Sequence, residues 1–206
     1  MHKEILSENQ LELLHLIKQF IREYYLVGGT AIALHIGHRR SIDFDLFKYS
    51  TIKPKTIISK ITAFNYPYTI TRRVSEQVNV TIHDVKFTFF QYLFKIDAKC
   101  KFEDYLKLPE LIDLAAMKAY ALGRRSKWKD YVDLYFILKY HFSIEQISKR
   151  AIEIYDQMFS EKLFRAQLSY FMDIDHSEPI DYMVPSVPDD EIKMYLIDLA
   201  TDIDLF

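Results

Sequence analysis

Leu26-Val27-Gly28-Gly29-Thr30-Ala31, followed about a dozen residues later by Ser41-Ile42-Asp43-Phe44-Asp45-Leu46-Phe47, decides how this chain is read. Glycine is scarce, four in 206 residues, yet two stand side by side where a short apolar run ends. That placement predicts a strand turning into a helix. Glycine admits positive φ there and lets the backbone approach a ligand closely. The first N–H groups of the helix then point at an anion, and the helix dipole favours negative charge. Taken alone, the glycine pair could equally be a tight connection that holds nothing.

The two aspartates add chemistry to the turn. On a strand, residues i and i+2 face the same way. Asp43 and Asp45 are therefore expected to project together, with Ile42, Phe44 and Leu46 packed behind them. Like charges so placed repel, and each raises the other's pKa. A divalent cation removes that penalty, and magnesium takes carboxylate oxygens together with substrate phosphates and waters. A solvated edge strand is the alternative for an isolated D-x-D. Asp173-Ile174-Asp175 and Asp202-Ile203-Asp204 repeat the local letters without a glycine turn upstream, and both read as surface acids.

Composition sets the outer limits. The chain is 50% hydrophobic and 15% aromatic, enough for a sizeable core. Its net charge of -2 excludes a generally basic nucleic-acid binder, so any RNA must be held by a local patch. Cys100 is alone, which excludes an internal disulfide framework and suits a reducing compartment. No apolar stretch approaches a membrane span, and the N-terminus lacks the apolar core of a signal peptide. A cytoplasmic protein without membrane attachment is the expectation. The histidines are scattered; His35 and His38 are separated by the helix-breaking Gly37, which argues against zinc. Cys100, between Lys99 and Lys101, reads as a bystander thiol in a loop.

Along the chain, residues 8–24 predict an amphipathic helix capped by Ser7. Tyr24–Val27 predicts a short strand, Thr30–Ile36 a helix closed by Gly37, and Ser41–Phe47 a second strand. Pro54 opens a helix over about 55–63. Period-two alternation then predicts strands over 69–74, 78–82 and 85–90, with His83-Asp84 as a turn. After residue 108 the pattern becomes helical. One helix runs from Pro109 to Leu122 with Gly123 closing it. A second is capped by Ser126 and reaches Tyr140; a third is capped by Ser143. Residues 172–189 read as an irregular crossing segment before a last helix from about Asp190. The expected architecture is α+β: a mixed-sheet lobe over 1–108 and a helical lobe over 109–206.

The apolar-Gly-Gly turn followed by D-x-D resembles the polymerase-β nucleotidyltransferase superfamily. The fuller string, with His38-Arg39-Arg40 before Ser41, resembles the AbiEii/AbiGii toxin family of nucleotidyltransferases. A second block supports the narrower likeness: Asp113-Leu114-Ala115-Ala116-Met117-Lys118, then Gly123-Arg124-Arg125-Ser126-Lys127-Trp128-Lys129-Asp130-Tyr131-Val132-Asp133-Leu134-Tyr135. Val85–Phe90 is a weaker third stretch.

The resemblance implies a nucleotidyltransferase fold and transfer of an NMP from an NTP to an acceptor hydroxyl. It implies Gly28, Gly29, Thr30 and Ser41 at the nucleotide, and Asp43, with Asp45 beside it, as ligands of magnesium or manganese. It implies Lys118 and Asp130 as further essential residues. The residue chemistry agrees, since a lysine suits a triphosphate and Asp130 falls in the first turn of its helix. A solvated lysine and a dipole-stabilising aspartate are the plain alternatives. Asp133, one turn on, is expected to pair with an arginine. Arg39 and Arg40 precede the metal strand and suit phosphate oxygens. Lys129 is a further nucleotide-side candidate within the basic run Arg124, Arg125, Lys127 and Lys129. With Trp128 as a stacking surface, that run could bind RNA; a solvated loop is the alternative.

A third carboxylate on a later strand, present in many polymerase-β-like enzymes, is missing here. The nearest position is Thr88, and Asp84 falls in a turn. One metal assisted by Lys118 and Asp130 is therefore expected rather than two. The resemblance further implies a tRNA-like RNA acceptor and a toxin role, in a toxin–antitoxin or abortive-infection system with a cognate antitoxin. Transfer of AMP to a protein hydroxyl, or a degenerate domain that binds without turnover, are the rival functions.

Overall fold

The computed structural model describes residues 1–125 and 127–202. The chain divides into two compact units, Met1–Glu110 and Leu111–Phe206.

In the first unit, Ser7 caps the opening helix through a capping box with Gln10. The expected single helix over 8–24 is instead two short pieces, α1 (Glu8–Glu12) and α2 (Leu14–Lys18), broken at Leu13 and followed by turns. Strand β1 (Tyr25–Val27) leads directly into α3 (Gly28–Ile36), which Gly37 ends in the left-handed conformation at φ 67°. Next come β2 (Phe44–Lys48), α4 (Pro54–Thr62) with Pro54 in its first turn, β3 (Thr69–Arg73), β4 (Gln77–Ile82) and β5 (Val85–Gln91). His83 and Asp84 both take positive φ, which closes the β4–β5 hairpin tightly. A small hairpin follows, β6 (Cys100–Phe102) paired with β7 (Leu106–Leu108). Cys100 thus lies in a strand rather than in the expected loop.

The sheet order is β1-β2-β5-β4-β3, with β2 and β5 parallel and the other pairs antiparallel. Its two faces differ in chemistry. Leu26, Phe44, Leu46, Phe87, Phe89, Val78 and Val80 are all buried on one face, where Phe20 from the turn after α2 meets Phe89 at 4.7 Å. The opposite face carries Tyr25, Val27, Asp45, Phe47, Thr88, Phe90, Asn79 and Gln77, most of them half-buried. Period-two alternation produces this split because successive side chains leave a strand on opposite sides.

The second unit is helical: α5 (Leu111–Ala121), α6 (Trp128–Tyr140), α7 (Ile144–Tyr155), α8 (Glu161–Leu168) and α9 (Asp189–Thr201). Ser143 caps α7 by a capping box with Gln146. The expected Ser126 cap of α6 lies outside the described residues, as do positions 203–206 of the C-terminal acidic repeat. Gly123, at φ 78°, ends α5. Tyr120 and Tyr155 stack at 3.9 Å, and Arg150 of α7 pairs with buried Asp113 of α5 at 2.5 Å. The segment between α8 and α9 is irregular, as its prolines predict. No helix among the described residues is long and apolar enough to cross a membrane.

Candidate active site

The turn between β1 and α3 is built around absent side chains. Gly28 holds φ 73° as the first residue of α3, and a Cβ on it would collide with the Asp45 carboxylate. The register explains the closeness, since Val27 pairs directly with Asp45. A Cβ on Gly29 would come within 2.6 Å of Arg39 Nη2 and 3.0 Å of Ser41 Oγ. Thr30, buried, reaches the same strand: its hydroxyl lies 3.0 Å from Ser41 Oγ and donates to the Asp43 carbonyl. No side chain caps the N-terminus of α3. Gly28, Gly29, Thr30, Arg39, Ser41 and Asp45 are therefore gathered at one strand-to-helix corner. Arg39 is buried against Gly29, and Arg40 turns to the Glu4 carbonyl at 3.3 Å.

Two details differ from the sequence reading. Strand β2 begins at Phe44, so Asp43 sits in the extended lead into it. Ile42 is 57% exposed and does not pack behind the aspartates; a residue before the sheet has no partner strand to bury it against. Thr88 is the β5 neighbour of Asp45 in the parallel register, which makes it the position beside the D-x-D. Asn79 pairs with Thr88 from the other side. Among the described residues, no group of three or more His, Cys, Asp or Glu could hold a metal.

The second unit concentrates charge in its interior. Lys118 of α5 and Asp130 and Asp133 of α6 are all buried, although lysine and aspartate are rarely so. Lys118 Nζ lies 2.6 Å from Asp130 Oδ1 and 2.9 Å from Asp133 Oδ2. Arg125 grips Asp130 with two bonds, Nε to Oδ2 at 2.7 Å and Nη2 to Oδ1 at 3.0 Å. Two cations thus face two carboxylates, which is what burial of charge requires. Burial alone would raise the Asp130 carboxyl, but Lys118 and Arg125 outweigh it and hold the group below its ordinary range. A carboxylate so paired is a weak base and a strong anchor.

Asp133 pairs with Lys118. Periodicity could have found this, because residues three apart on α6 share a face and α6 buries that face. The solvated alternative for Lys118 does not hold, since Lys118 is buried, while Asp130 does lie in the first turn of α6, where a carboxylate suits the helix dipole. Arg125 is the member of the cluster with a half-exposed side chain, a role the sequence gave no reason to separate from the neighbouring cations.

Part of the basic run beside the cluster is committed to ion pairs within the unit. Lys127 pairs with Asp175 at 2.7 Å and Glu178 at 2.8 Å, and Lys129 pairs with Glu178. Trp128 is 4% exposed, stacked against His176 at 5.0 Å, with its N–H donated to Asp189. The irregular segment between α8 and α9 supplies Asp175, His176 and Glu178. Asp175, expected as a plain surface acid, is thus a half-buried structural partner. These contacts depend on residues some 50 positions apart in sequence, so a local reading of the basic run could not reveal them.

The sheet order, the glycine corner and the helical second unit together are those of the nucleotidyltransferase fold. A nucleotidyltransferase described as putative, from Helicobacter pylori, superposes with a TM-score of 0.58 at 18% identity, covering 94% of each chain. MenT4, a nucleotidyltransferase toxin of Mycobacterium tuberculosis, superposes with a TM-score of 0.56 at 12% identity, covering 95% of this chain and 83% of that one. At the level of family, residues 95–193 match the model described as nucleotidyl transferase AbiEii toxin, Type IV TA system. The likeness to the AbiEii toxin family read from the sequence is borne out over that region, which holds the Lys118–Asp130 cluster. An uncharacterized protein of Aquifex aeolicus is 28% identical over 140 residues, and the match spans 62% of this chain and 64% of that relative.

Proposed function

We propose that this chain is a nucleotidyltransferase that moves a nucleoside monophosphate from an NTP to the hydroxyl of an RNA acceptor, acting as a toxin held in check by a cognate antitoxin. The observation that carries the reading is the glycine corner. Two missing Cβ atoms leave space occupied on one side by Asp45 and on the other by Arg39 and Ser41. A triphosphate laid on Gly28-Gly29-Thr30 meets the uncapped N–H groups of α3 and the Arg39 guanidinium. Ser41 supplies a hydroxyl donor to its oxygens, and Thr30 holds Ser41 and the Asp43 carbonyl in place beside it.

Asp43 and Asp45 suit magnesium or manganese by chemistry. Both are hard oxygen donors, and two protein carboxylates with phosphate oxygens and waters make an ordinary set for such a cation. Bound there, the cation would neutralise charge on the triphosphate. Asp43 and Asp45 would hold it, and with it would orient the α-phosphate. Thr88 beside Asp45 adds no third acid, which favours a single cation.

In the second unit, Asp130 and Asp133 position Lys118, and Asp130 fixes Arg125. Asp130 acts here by orientation and not by taking a proton. Lys129, paired with Glu178, is the nucleotide-side residue with the weakest case. The family's description as a Type IV toxin–antitoxin system, and the toxin named among the similar structures, support the toxin role and its antitoxin. Thr88 also favours the rival of a binding domain without turnover.

Incubation with each α-labelled NTP, magnesium and total RNA separates the readings. Label on RNA in the wild type, lost in Asp43→Ala, is the expected result. Label on protein would identify an AMP-transferring enzyme. Nucleotide binding without pyrophosphate release would identify the non-catalytic domain.

A further inference from the structure

The sheet face that carries Asp45 continues beyond it in a second row of different character. The registers place Val27, Asp45, Thr88 and Asn79 side by side across four strands. Two residues along, they place Tyr25, Phe47, Phe90 and Gln77 in the same order. The first row is polar at its centre and the second is aromatic. Strand geometry sets them about 7 Å apart, roughly the span of a ribose.

The aromatic row is a platform left partly open. Phe47 lies 5.1 Å from Phe90 and 5.2 Å from Tyr92, and all three are only half-buried. At the β1 end, Tyr25 is 92% buried, yet its hydroxyl has no hydrogen-bond partner. Burial and the nearby Tyr92 push that phenol above its ordinary value, so it stays a protonated donor. At the β4 end, Gln77 donates to Asn79 at 2.9 Å, tying the ends of the two rows together. A buried hydroxyl without a partner costs stability, and phenylalanine would remove the cost. Stacking rings with polar groups at both ends match a flat aromatic ligand with hydrogen-bonding edges.

We infer that Phe47 and Phe90 form the floor of a nucleobase subsite, with Tyr25 and the Gln77–Asn79 amides at the edges of the base. The inference rests on the nucleotide reading of the glycine corner, since the phosphates on Gly28–Thr30 and Asp45 put the base of the same nucleotide on the adjacent row. The shared chemistry is a nucleobase. It comes from the NTP, or from the end of the RNA acceptor.

Calorimetric titration of the full chain with each NTP, with inorganic tripolyphosphate and with a short single-stranded RNA tests this. Phe47→Leu keeps an apolar side chain but loses the ring. It is expected to weaken NTP binding about tenfold, the scale of one base–aromatic stack, and to leave tripolyphosphate unchanged. Tyr25→Phe is expected to raise the thermal midpoint while weakening one NTP more than the others. Loss confined to the RNA titration assigns the base to the acceptor. If Phe47→Leu binds every NTP as the wild type does, or weakens tripolyphosphate equally, the subsite is overturned and the triphosphate corner stands. If the wild type binds neither NTP nor tripolyphosphate, the nucleotide reading itself fails and the subsite with it.

Discussion

The two units hold their charges in opposite ways. In the first, Asp43 and Asp45 stand half-buried at the start of a strand, beside an uncapped helix whose first glycine lets the Asp45 carboxylate close in. In the second, Lys118, Asp130 and Asp133 are buried in a closed network to which Arg125 adds a half-exposed edge. Removing one member of a closed network leaves an uncompensated charge in a poor solvent. Removing Asp43, half-buried in the lead into its strand, leaves water in its place. On the proposed function, the same residue type serves ligand chemistry in one unit and architecture in the other, and substitutions should separate the two.

The largest effect is expected at the acids of the glycine corner. Asp43→Asn should lower transfer by about a thousandfold, with a thermal midpoint within about 2 °C of wild type. Parallel activity and melting measurements check it, and a large loss of stability would erase the contrast between the units. Asp130→Ala should do the reverse in kind, destabilising the chain by about 3–5 kcal/mol, read by urea denaturation. A variant that is inactive yet fully stable would make Asp130 a chemical residue instead of an anchor.

Gly28→Ala is expected to fall between. Its positive φ costs about 1–2 kcal/mol for any residue with a Cβ, and the new methyl displaces Asp45. Urea denaturation should show the modest stability loss, and titration with tripolyphosphate a disproportionate loss of binding.

The smallest effect belongs to the ion pairs of the irregular segment. Lys127 and Lys129 pull the Glu178 carboxyl from 4.5 down to about 2. A depressed carboxylate contributes stability that is present above its unfolded value and lost as pH falls through the folded one. The wild type should therefore lose stability between about pH 4.5 and 2 more steeply than Glu178→Gln. At neutral pH the two should differ by no more than about 1 kcal/mol, because the pair is half-exposed. Denaturant midpoints measured across that pH range decide it.

Much of this was legible locally. Ser7 and Ser143 announced their capping boxes, and Gly37 and Gly123 their helix ends, because caps depend on a few adjacent residues. The glycine pair and the D-x-D could be joined by spacing alone, because a strand, a short helix and a second strand leave few ways to connect. The β6–β7 hairpin escaped notice because three-residue strands carry too little periodicity to read. The break at Leu13 was hidden by an apolar pattern that runs through it.

Sequence by itself determined the kind of elements, the glycine corner and the acids beside it, since each depends on backbone freedom or period within a few residues. Only the tertiary structure decided which charges are spent on one another. Asp133 found Lys118, Glu178 found Lys127 and Lys129, and Trp128 was buried under His176. A charge's energy depends on what lies within a few ångströms of it in space, and distance along the chain carries no record of that.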